Sequence, residues 1–397
     1  MNAASPLILS INGGSSSVKF SLITTSLPQQ AEFSGTIEGN DDLAFLSLAE
    51  RVEGYCPPSQ LAAVGHRIVH GGPDLHAPQQ VTPALLATLR RIVPLAPLHM
   101  PAALRLIECV SGRYPLLPQT VCFDTAFHHA MPREAKLMPI PYRYQDAGIR
   151  RYGFHGLSFE SLMGEISASE APALAGGRII LAHLGNGASL SAVHRHRPME
   201  TSMGFTPASG IPMGTRSGDI DPGLAWHLAR TEGMNAEQFE RMVTRESGLL
   251  GLSGTSADMR VLLEREATDT RAADAVAHFC HRVRMCIGAL AAALGGVDLL
   301  VFSGGIGEHA APVRARICAG LEFLGIALDA ARNVSNASHA SNAGCISADT
   351  AHARVRVIHT DEEMVIARAT LGLLDTRPTL PRATTDSSTS TRLDTTL

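Results

Sequence analysis

The chain shows no large excess of charge of either sign and no uninterrupted apolar run long enough to cross a bilayer. Its 397 residues carry 33 Lys and Arg against 37 Asp and Glu, and the net charge is −4. That balance gives no electrostatic reason to expect nucleic acid or an anionic membrane as a partner. The longest apolar stretch, residues 286–302, contains Asp298 and three glycines. It therefore predicts a core helix followed by a strand, and no membrane span.

Cysteine pairs and histidine clusters are also missing. The seven cysteines are scattered without a CxxC pair, which argues against a structural zinc site and predicts reduced thiols in a cytoplasmic protein. The 17 histidines include no HExxH motif, so we expect no zinc-hydrolase site. The N-terminus lacks the basic region of a signal peptide, so no secretion signal is expected. With 45% hydrophobic and 18% charged residues, the chain has an ordinary globular composition, and its length predicts two domains.

The stretch Leu7–Ile23, LILSINGGSSSVKFSLI, predicts a strand, a polar turn and a second strand. Gly13 and Gly14 allow the backbone to approach a ligand, and the amides and hydroxyls that follow can converge on an anion. Lys19 would add a positive charge beside that anion. The pattern is neither a P-loop nor a GxGxxG fingerprint. An ordinary hairpin with a Gly/Ser turn explains the stretch equally well.

A second stretch, Ile179–Val193, repeats this plan as IILAHLGNGASLSAV, with its glycine turn at 185–187. Ser189 falls where Ser17 falls in the first stretch. Two such hairpins in one chain indicate an internally duplicated fold with a ligand held between the halves. A chance likeness between two Gly-rich hairpins is the alternative.

Polar residues in or near glycine turns are the further candidates for chemistry. Arg67 lies between apolar neighbours before a glycine pair, and is either a buried ion-pair partner or a ligand clamp. Asp124 ends the strand TVCFD, where it either faces a ligand crevice or caps the next turn. His155 is either a plain loop histidine or a ligand contact. The loop around Arg216 has so many glycines that it is typical of an active-site loop.

Helical spacing predicts helices at about 82–93, 102–110, 271–294 and 361–374, with Thr82 and Asp361 as N-caps. Residues 35–49 predict a strand and a loop. A strand at 299–302 leads into SGGIGEH, a turn that can receive a nucleotide before a helix from Ala310. The Ser/Thr-rich residues 376–397 predict a disordered tail.

These motifs together resemble the acetate kinase family, the short-chain carboxylate kinases of the actin-like and sugar-kinase ATPase superfamily. The resemblance covers about residues 7–374. It rests, in order, on INGGSSSVKF, VGHRIVHGG, PLAPLH, FDTAFH, RRYGFHG, AHLGNGASL, TSMGFTP, MGTRSGDIDPG, ESGLLG, FSGGIGE and TDEEMVIA. So many motifs in order are far more specific than a single Gly-rich turn.

The resemblance implies an α/β fold of two duplicated actin-like ATPase (ribonuclease H-like) domains with an interdomain active-site cleft. Residues 1–125 with 362–375 would form the N-terminal domain. Residues 126–361 would form the C-terminal domain, which carries the nucleotide and dimer contacts, followed by the tail at 376–397. The resemblance also implies a homodimer that transfers a phosphoryl group reversibly between ATP and acetate, with Mg²⁺ or Mn²⁺ as the metal.

The resemblance also assigns roles to single residues. The catalytic positions match Arg67, Asp124, His155 and Arg216, and the two arginines would hold the carboxylate and the migrating phosphoryl group. The metal-side positions match Asn12 and Glu362, and the acceptor pocket matches Arg67, Val69, Leu98, Phe154 and Pro207. The ATP contacts match Ser15, Ser17, Lys19, His183, Leu184, Gly185, Asn186, Gly187, Asp258, Met259, Arg260, Gly305, Ile306, Gly307, Glu308 and His309.

Some positions depart from the family pattern. His309 replaces an asparagine, His359 replaces a proline, and Met259 stands where an aromatic side chain is common beside the adenine. Two other functions stay open. The first is a propionate or butyrate kinase on the same scaffold, since one methylene discriminates by only about 1–3 kcal/mol. The second is a non-catalytic actin-like ATP-binding module, which would have no need of two arginines around a reacting phosphoryl group.

Overall fold

Two β-sheets built on one plan organise the part of the chain that the computed structural model describes, residues 5–14, 17–26, 30–335 and 344–375. The first sheet contains β1 (Leu7–Gly13), β2 (Ser17–Thr24), β3 (Ala31–Glu38), β4 (Leu61–Ile68), β5 (Gln79–Gln80) and β6 (Gln119–Phe123). The second contains β7 (Arg178–Leu184), β8 (Ala188–His194), β9 (Arg197–Thr201), β10 (Leu299–Ser303) and β11 (Arg354–Val357).

Each sheet begins with an antiparallel meander and continues with parallel strands. β1 pairs antiparallel with β2 and parallel with β4, and β7 pairs antiparallel with β8 and parallel with β10. The strand orders β3-β2-β1-β4-β6 and β9-β8-β7-β10-β11 therefore correspond strand by strand. The internal duplication that the two hairpins predicted is confirmed.

Helices connect and cover the strands. They are α1 (Asp42–Tyr55), α2 (Pro83–Arg91), α3 (Met100–Arg113), α4 (Arg133–Lys136), α5 (Tyr142–Asp146), α6 (Gly156–Ser169), α7 (Pro172–Ala175), α8 (Gly223–Thr231), α9 (Ala236–Arg245), α10 (Gly248–Ser253), α11 (Met259–Arg265), α12 (Thr270–Leu294), α13 (Gly304–His309), α14 (Ala311–Cys318), α15 (Ala330–Ser335) and α16 (Glu362–Asp375). Short 3₁₀ turns lie at Pro58–Gln60, Val93–Leu95, Phe127–Ala130 and Glu322–Leu324.

The predicted helices and their caps are present. The Thr82 hydroxyl accepts a hydrogen bond from the Leu85 amide at 3.1 Å, and the Asp361 carboxylate accepts one from the Met364 amide at 2.8 Å. These bonds satisfy amides that the first helical turn would leave unpaired. Gly295 ends α12 with φ = +73°, a left-handed conformation that glycine adopts without steric cost.

Two local predictions were wrong in part. Residues 35–49 were expected to form a strand and a loop. The strand is present, since β3 extends to Glu38, but α1 begins at Asp42 in place of the loop, capped by the Asp41 carboxylate. Leu43 and Leu46 are 73% and 50% exposed, and these exposed leucines obscured the amphipathic pattern of the buried face. The SGGIGEH segment was expected to be a turn before a helix at Ala310. It is instead the short helix α13, and α14 follows it directly.

Helix α16 follows the last strand of the second sheet but packs on the first sheet, against β1, β4 and β6. The fit is close, since a Cβ atom at Gly65 of β4 would lie 2.4 Å from the Thr370 hydroxyl of α16. The start of α16, which carries Glu362, is thereby held beside the carboxyl ends of β1 and β4.

All seven cysteines are free thiols, as predicted. None of the helices within the described ranges combines the length and the hydropathy needed to cross a bilayer. The predicted disorder of residues 376–397 and the predicted role of Ser15 lie outside the described residues.

Several histidines are buried and uncharged. Burial lowers the pKa of His66 to about 4, although a hydrogen bond between its Nε2 and the Gln119 side chain acts in the other direction. His66 is 2% exposed. Because its pKa is lower in the folded state than in the unfolded chain, the unfolded state binds more protons as the pH falls below about 6.5. Folded-state stability is therefore lost on acidification through this range.

We predict that His66→Gln makes unfolding less sensitive to acid. Between about pH 7 and pH 5, the unfolding free energy of the wild type should fall by about 2 kcal/mol more than that of the variant. Urea unfolding at both pH values measures the difference, with exposed His281→Gln on α12 as the matched control. Equal pH dependence in wild type and His66→Gln would contradict a neutral buried His66.

Candidate active site

Arg67 and Asp124 form a buried bidentate ion pair where β4 and β6 end. The Arg67 Nε and Nη2 atoms donate to the Asp124 carboxylate, at 3.0 Å to Oδ1 and 2.6 Å to Oδ2. Asp124 is 1% exposed. Of the two alternatives for Arg67, the ion pair is therefore present. The Asp124 side chain faces Arg67. The Gly156 amide at the start of α6 donates a hydrogen bond to the backbone carbonyl of Asp124.

The remaining guanidinium nitrogen of Arg67 connects this pair to the start of α16. Its Nη1 donates to the Asn12 side-chain oxygen at 3.2 Å, and Asn12 Nδ2 donates to both Glu362 and Glu363 at 2.9 Å. Burial alone would lower the pKa of Arg67, but Asp124, Glu362 and Glu363 raise it above its ordinary value. Burial and the neighbouring Glu362 raise the pKa of Glu363. Arg67 thus stays charged.

His155 is held in an unusual backbone conformation at the start of α6. It has φ = +59°, in the left-handed region that non-glycine residues seldom adopt. The following residue must be small, since a Cβ atom at Gly156 would lie 2.1 Å from the Asp124 carbonyl oxygen. The His155 Nδ1 atom lies 2.9 Å from the Ser189 hydroxyl, and its ring lies 4.5 Å from that of His183.

The His155 ring is neutral near pH 7. Burial, followed by His183, Arg67 and Arg216, lowers its pKa well below the ordinary value for histidine. A neutral imidazole adds no further repulsion to the two neighbouring guanidinium groups, and it can still form a hydrogen bond to an anion.

Arg216 lacks a carboxylate partner within the part of the chain that the structure describes. Its Nη1 atom donates to the Pro207 carbonyl at 3.2 Å and lies 3.7 Å from the Met213 sulfur. No carboxylate of the described residues forms an ion pair with it. Burial and the charge of Arg67 lower the pKa of Arg216 below its ordinary value. A half-buried guanidinium with only neutral partners is a binding site for an anion.

The Gly187 backbone lies against both His155 and Arg216. A Cβ atom there would lie 3.1 Å from His155 Nε2 and 3.5 Å from Arg216 Nη1. The turn between β7 and β8, one of the two hairpins found in the sequence, therefore brings its backbone against both side chains. A larger residue at this position would fill the space that a reacting group needs.

Two cavities open on either side of this point. The first, which we call the glycine cleft, has a volume of about 430 Å³. It is lined by Asn12, Gly14, Ser17, Lys19, Arg67, His155, His183, Gly185, Asn186, Gly187, Gly304, Gly305, Glu308, His309, His359, Thr360, Glu362 and Glu363. The second, which we call the Arg216 cavity, has a volume of about 380 Å³. It is lined by Leu95, Ala96, Pro97, Leu98, His99, Asn186, Thr206, Pro207, Ala208, Thr215, Arg216, Glu240, Val243, Thr244 and Arg245.

Most of the predicted site residues line one of these cavities, but some do not. Val69 and Phe154, predicted for the acceptor pocket, are 5% and 1% exposed and lie in the hydrophobic core. Leu184 and Gly307 are buried, and Ile306 is half-buried. Met259 is also in the core at 2% exposure. Asp258 caps α11 and pairs with exposed Arg260 at 2.7 Å, and neither residue lines the glycine cleft or the Arg216 cavity.

The structure also brings in residues that the sequence reasoning missed. His99 lines the Arg216 cavity, and burial together with Arg216, Arg67 and Arg245 lowers its pKa to about 4. Glu363 and His359 line the glycine cleft. His99 is the last residue of the motif PLAPLH, Glu363 is the last residue of TDEE, and His359 directly precedes TDEE. Their proximity to the site depends on long-range packing, which the motifs alone do not reveal.

Comparison with known proteins identifies relatives over the whole of this architecture. The chain matches the model of the acetokinase family over residues 55–368. It is 42% identical to the acetate kinase of Rhodopseudomonas palustris over 400 residues, covering 94% of this chain and 99% of that protein. Two solved structures are similar at 33% identity. One is a propionate kinase from Francisella tularensis, with a TM-score of 0.83 and coverage of 92% of this chain and 98% of that one. The other is the acetate kinase of Porphyromonas gingivalis, with a TM-score of 0.81 and coverage of 93% and 100%.

We predict unequal effects on stability when the two arginines are replaced. Arg67→Met leaves the buried Asp124 carboxylate unpaired and should lower the unfolding free energy by about 3–5 kcal/mol. Arg216→Met removes a cation without a counter-ion and should change the unfolding free energy by less than about 1 kcal/mol. Urea unfolding at neutral pH measures both.

The double variant Arg67→Met/Asp124→Leu is the control, because removing both charges should restore most of the lost stability. Equal losses in the two single variants would contradict the different pairing of the two arginines.

Proposed function

The chain belongs to the acetokinase family, and we propose that its site transfers the terminal phosphoryl group of ATP to acetate, reversibly, giving acetyl phosphate and ADP. It is a phosphotransferase with a carboxyl group as acceptor. The observation that carries the assignment of the site is Arg216, a half-buried guanidinium without a counter-ion, which lines a cavity suited to a small organic anion. A carboxylate or a phosphoryl group supplies the missing charge.

In the proposed reaction, a carboxylate oxygen of acetate attacks the terminal phosphorus of ATP. The new bond joins that oxygen to phosphorus, the bond to the bridging oxygen breaks, and ADP leaves with the electron pair. A carboxylic acid such as acetic acid titrates well below neutral pH, so acetate is already ionised and no general base is required. Asp124 is occupied by Arg67 in bidentate fashion. We therefore assign it the role of orienting Arg67.

The transferring phosphoryl group spreads its charge over three oxygens, so catalysis depends on positioned cations and hydrogen-bond donors. We assign Arg216 to these oxygens because a planar guanidinium can bind them in bidentate fashion. Arg67 lines the glycine cleft with its Nε and Nη2 held by Asp124, and we propose that its positive charge stabilises the same oxygens. His155 lies next to Gly187, which also adjoins Arg216. Its neutral ring can donate a hydrogen bond to the migrating group.

We place ATP in the glycine cleft. The turn at Gly185–Gly187 and the start of α13 line this cleft with backbone that can approach a nucleotide closely, and Ser17 and Lys19 lie across from them. The ATP roles of Ser15, Asp258, Met259 and Arg260 remain predictions.

The residues at the start of α16 fit Mg²⁺ or Mn²⁺ carried by the nucleotide. Asn12 holds Glu362 and Glu363 side by side through its amide group, and such oxygen ligands suit a hard cation. Within the described ranges no group of three or more His, Cys, Asp or Glu side chains is arranged to hold a metal alone. Mg²⁺ usually takes one or two carboxylates and completes its shell with water and substrate phosphate. When bound, the metal neutralises charge on the phosphates.

Propionate is the second candidate acceptor, because the similar Francisella tularensis structure is that of a propionate kinase. Leu98 and Pro207 line the Arg216 cavity, and Val69 and Phe154 lie in the adjoining core. We propose that Leu98 and Pro207 contact the acceptor's alkyl group, while the acceptor roles of Val69 and Phe154 stay predictions. Discrimination by one methylene is worth only about 1–3 kcal/mol, so propionate should be used less well than acetate and still be accepted.

The division of the chain follows from the two sheets. We propose one domain of residues 1–125 with 362–375 and a second of residues 126–361, because α16 packs on the first sheet. We further propose a homodimer through α8 and α9. Neither helix contains a buried residue, and Trp226 of α8 is 60% exposed. A second copy would cover this face.

The reaction is tested by trapping acyl phosphate as its hydroxamate, with ATP, Mg²⁺ and either acetate, propionate or butyrate. We expect the strongest signal with acetate and a falling series. Arg216→Gln should lower kcat by about a hundredfold or more and leave the KM for ATP nearly unchanged, since the lost contact is made to the reacting group. Exposed Arg271→Gln serves as the control.

A stronger hydroxamate signal with propionate than with acetate would support phosphoryl transfer to a carboxylate and make propionate the preferred acceptor. Near-normal turnover in Arg216→Gln would contradict the role given to that arginine. ATP binding without hydroxamate from any acid would favour a non-catalytic binding module.

We predict that Trp226→Glu produces a monomer, because it places a charge at the centre of the proposed dimer face. Sedimentation velocity measures the mass of the particle. Leu116→Glu is the matched control, since Leu116 is 95% exposed and lies outside α8 and α9. A dimer that persists in Trp226→Glu would place the interface elsewhere.

A further inference from the structure

An ion pair between His359 and Glu308 forms one wall of the glycine cleft. The His359 Nδ1 atom donates to Glu308 Oε2 at 2.8 Å. His359 lies between β11 and α16, and Glu308 lies in α13. The His359 segment leads into α16, which carries the proposed metal carboxylates, and α13 is proposed to contact the nucleotide. The ion pair therefore joins these two segments.

Glu308 is fixed at both of its oxygens. Its Oε1 atom accepts a hydrogen bond from the Gly304 amide at 2.9 Å, while Oε2 receives the one from His359. The Glu308 side chain is only 12% exposed, whereas that of His359 is 65% exposed. The buried carboxylate thus serves as an anchor, and the histidine ring is the part of the pair that solvent or a ligand can reach.

The orientation of the ring leaves one nitrogen available. Since Nδ1 is used by Glu308, a protonated ring has its second donor at Nε2. Because His359 lines the glycine cleft, this donor is available to a molecule bound there.

The charge of the cleft makes such a donor useful. Its lining contains three carboxylates, Glu308, Glu362 and Glu363, but only two residues of permanent positive charge, Lys19 and Arg67. Arg67 is already paired with Asp124. A nucleotide would add several negative charges, which an acidic wall disfavours. A protonated His359 offsets Glu308 and contributes a further hydrogen bond.

We propose that His359 is a nucleotide-binding residue, held in place by Glu308, whose Nε2 donates to a phosphate group of ATP or ADP. This inference rests on the proposed function in one respect, which is the placement of the nucleotide in the glycine cleft. No acceptor chemistry is assigned to His359.

The charged groups around His359 favour its protonated form. The hydrogen bond to Glu308 raises the pKa of His359 above its ordinary value, burial lowers it, Asp361 raises it and Lys19 lowers it. The other titratable groups that line the same cleft are Arg67, His155, His183, His309, Glu362 and Glu363. A histidine with a raised pKa carries its charge below that pKa and loses it as the pH rises through it. The phosphate contact should therefore weaken on the alkaline side.

We would measure the affinity for ADP by calorimetry in the wild type, His359→Gln and His352→Gln, at about pH 6 and about pH 8. At the lower pH, His359→Gln should bind ADP about three- to tenfold more weakly than the wild type, the range expected for a partly exposed charged contact. At the higher pH, the wild type and His359→Gln should bind ADP with nearly equal affinity. His352 is exposed and lines neither cavity, so His352→Gln should match the wild type at both pH values.

Turnover gives a second readout. A contact made equally to bound nucleotide and transition state changes KM and not kcat. His359→Gln should raise the KM for ATP by the same factor and change kcat by less than about twofold. Glu308→Gln should shift the loss of ADP affinity to lower pH, and an NMR titration of the His359 ring can follow this shift directly.

Equal ADP affinity of wild type and His359→Gln at the lower pH would overturn the inference. A loss of the same size at both pH values would also overturn it, because that result indicates a structural effect without the charge. Hydroxamate formation alongside either result would leave the proposed function standing. Failure of the wild type to bind ADP at all would remove the nucleotide from the cleft and overturn both.

Discussion

The bidentate contact between Arg67 and Asp124 determines how charge is distributed in the rest of the site. Asp124 is 1% exposed, so its carboxylate needs a partner, and Arg67 supplies it with bonds as short as 2.6 Å. The pair joins the ends of β4 and β6, and through Asn12 it reaches the acidic start of α16. With the charge of Arg67 balanced in this way, the two arginines differ, because no carboxylate of the described residues forms an ion pair with Arg216. The unequal pairing leaves the Arg216 guanidinium more available to a ligand than that of Arg67.

The duplicated fold explains how these groups come together from distant parts of the chain. The hairpin of β1 and β2 contributes Asn12, Ser17 and Lys19 to one wall of the glycine cleft, and the hairpin of β7 and β8 contributes its glycine turn to the other. Neither hairpin could form such a site alone. Because α16 crosses from the second sheet to the first, its carboxylates close the cleft beside Asn12. The active site is therefore a consequence of pairing two similar sheets.

Sequence reasoning predicted those features that are determined locally. The two hairpins, the Thr82 and Asp361 caps and the long helix α12 all follow from glycine, capping and apolar patterns within a few residues. It failed where the local pattern was obscured, as in α1, whose exposed Leu43 and Leu46 hide the buried face. It could not find features that depend on long-range packing. Asn12 contacts Glu362 across 350 residues, and the His359–Glu308 pair joins two elements with no shared motif.

We propose that an anionic substrate supplies the counter-ion that no carboxylate of the described residues gives to Arg216. The most direct measurement is the affinity for acetyl phosphate without nucleotide, determined by calorimetry in the wild type and in Arg216→Gln. A charged hydrogen-bonded pair of this kind is worth about 1.5–3 kcal/mol, so binding to Arg216→Gln should be weaker by at least about tenfold, with the folded state intact. Equal affinity in the two proteins would mean that the anion binds elsewhere and would contradict the account.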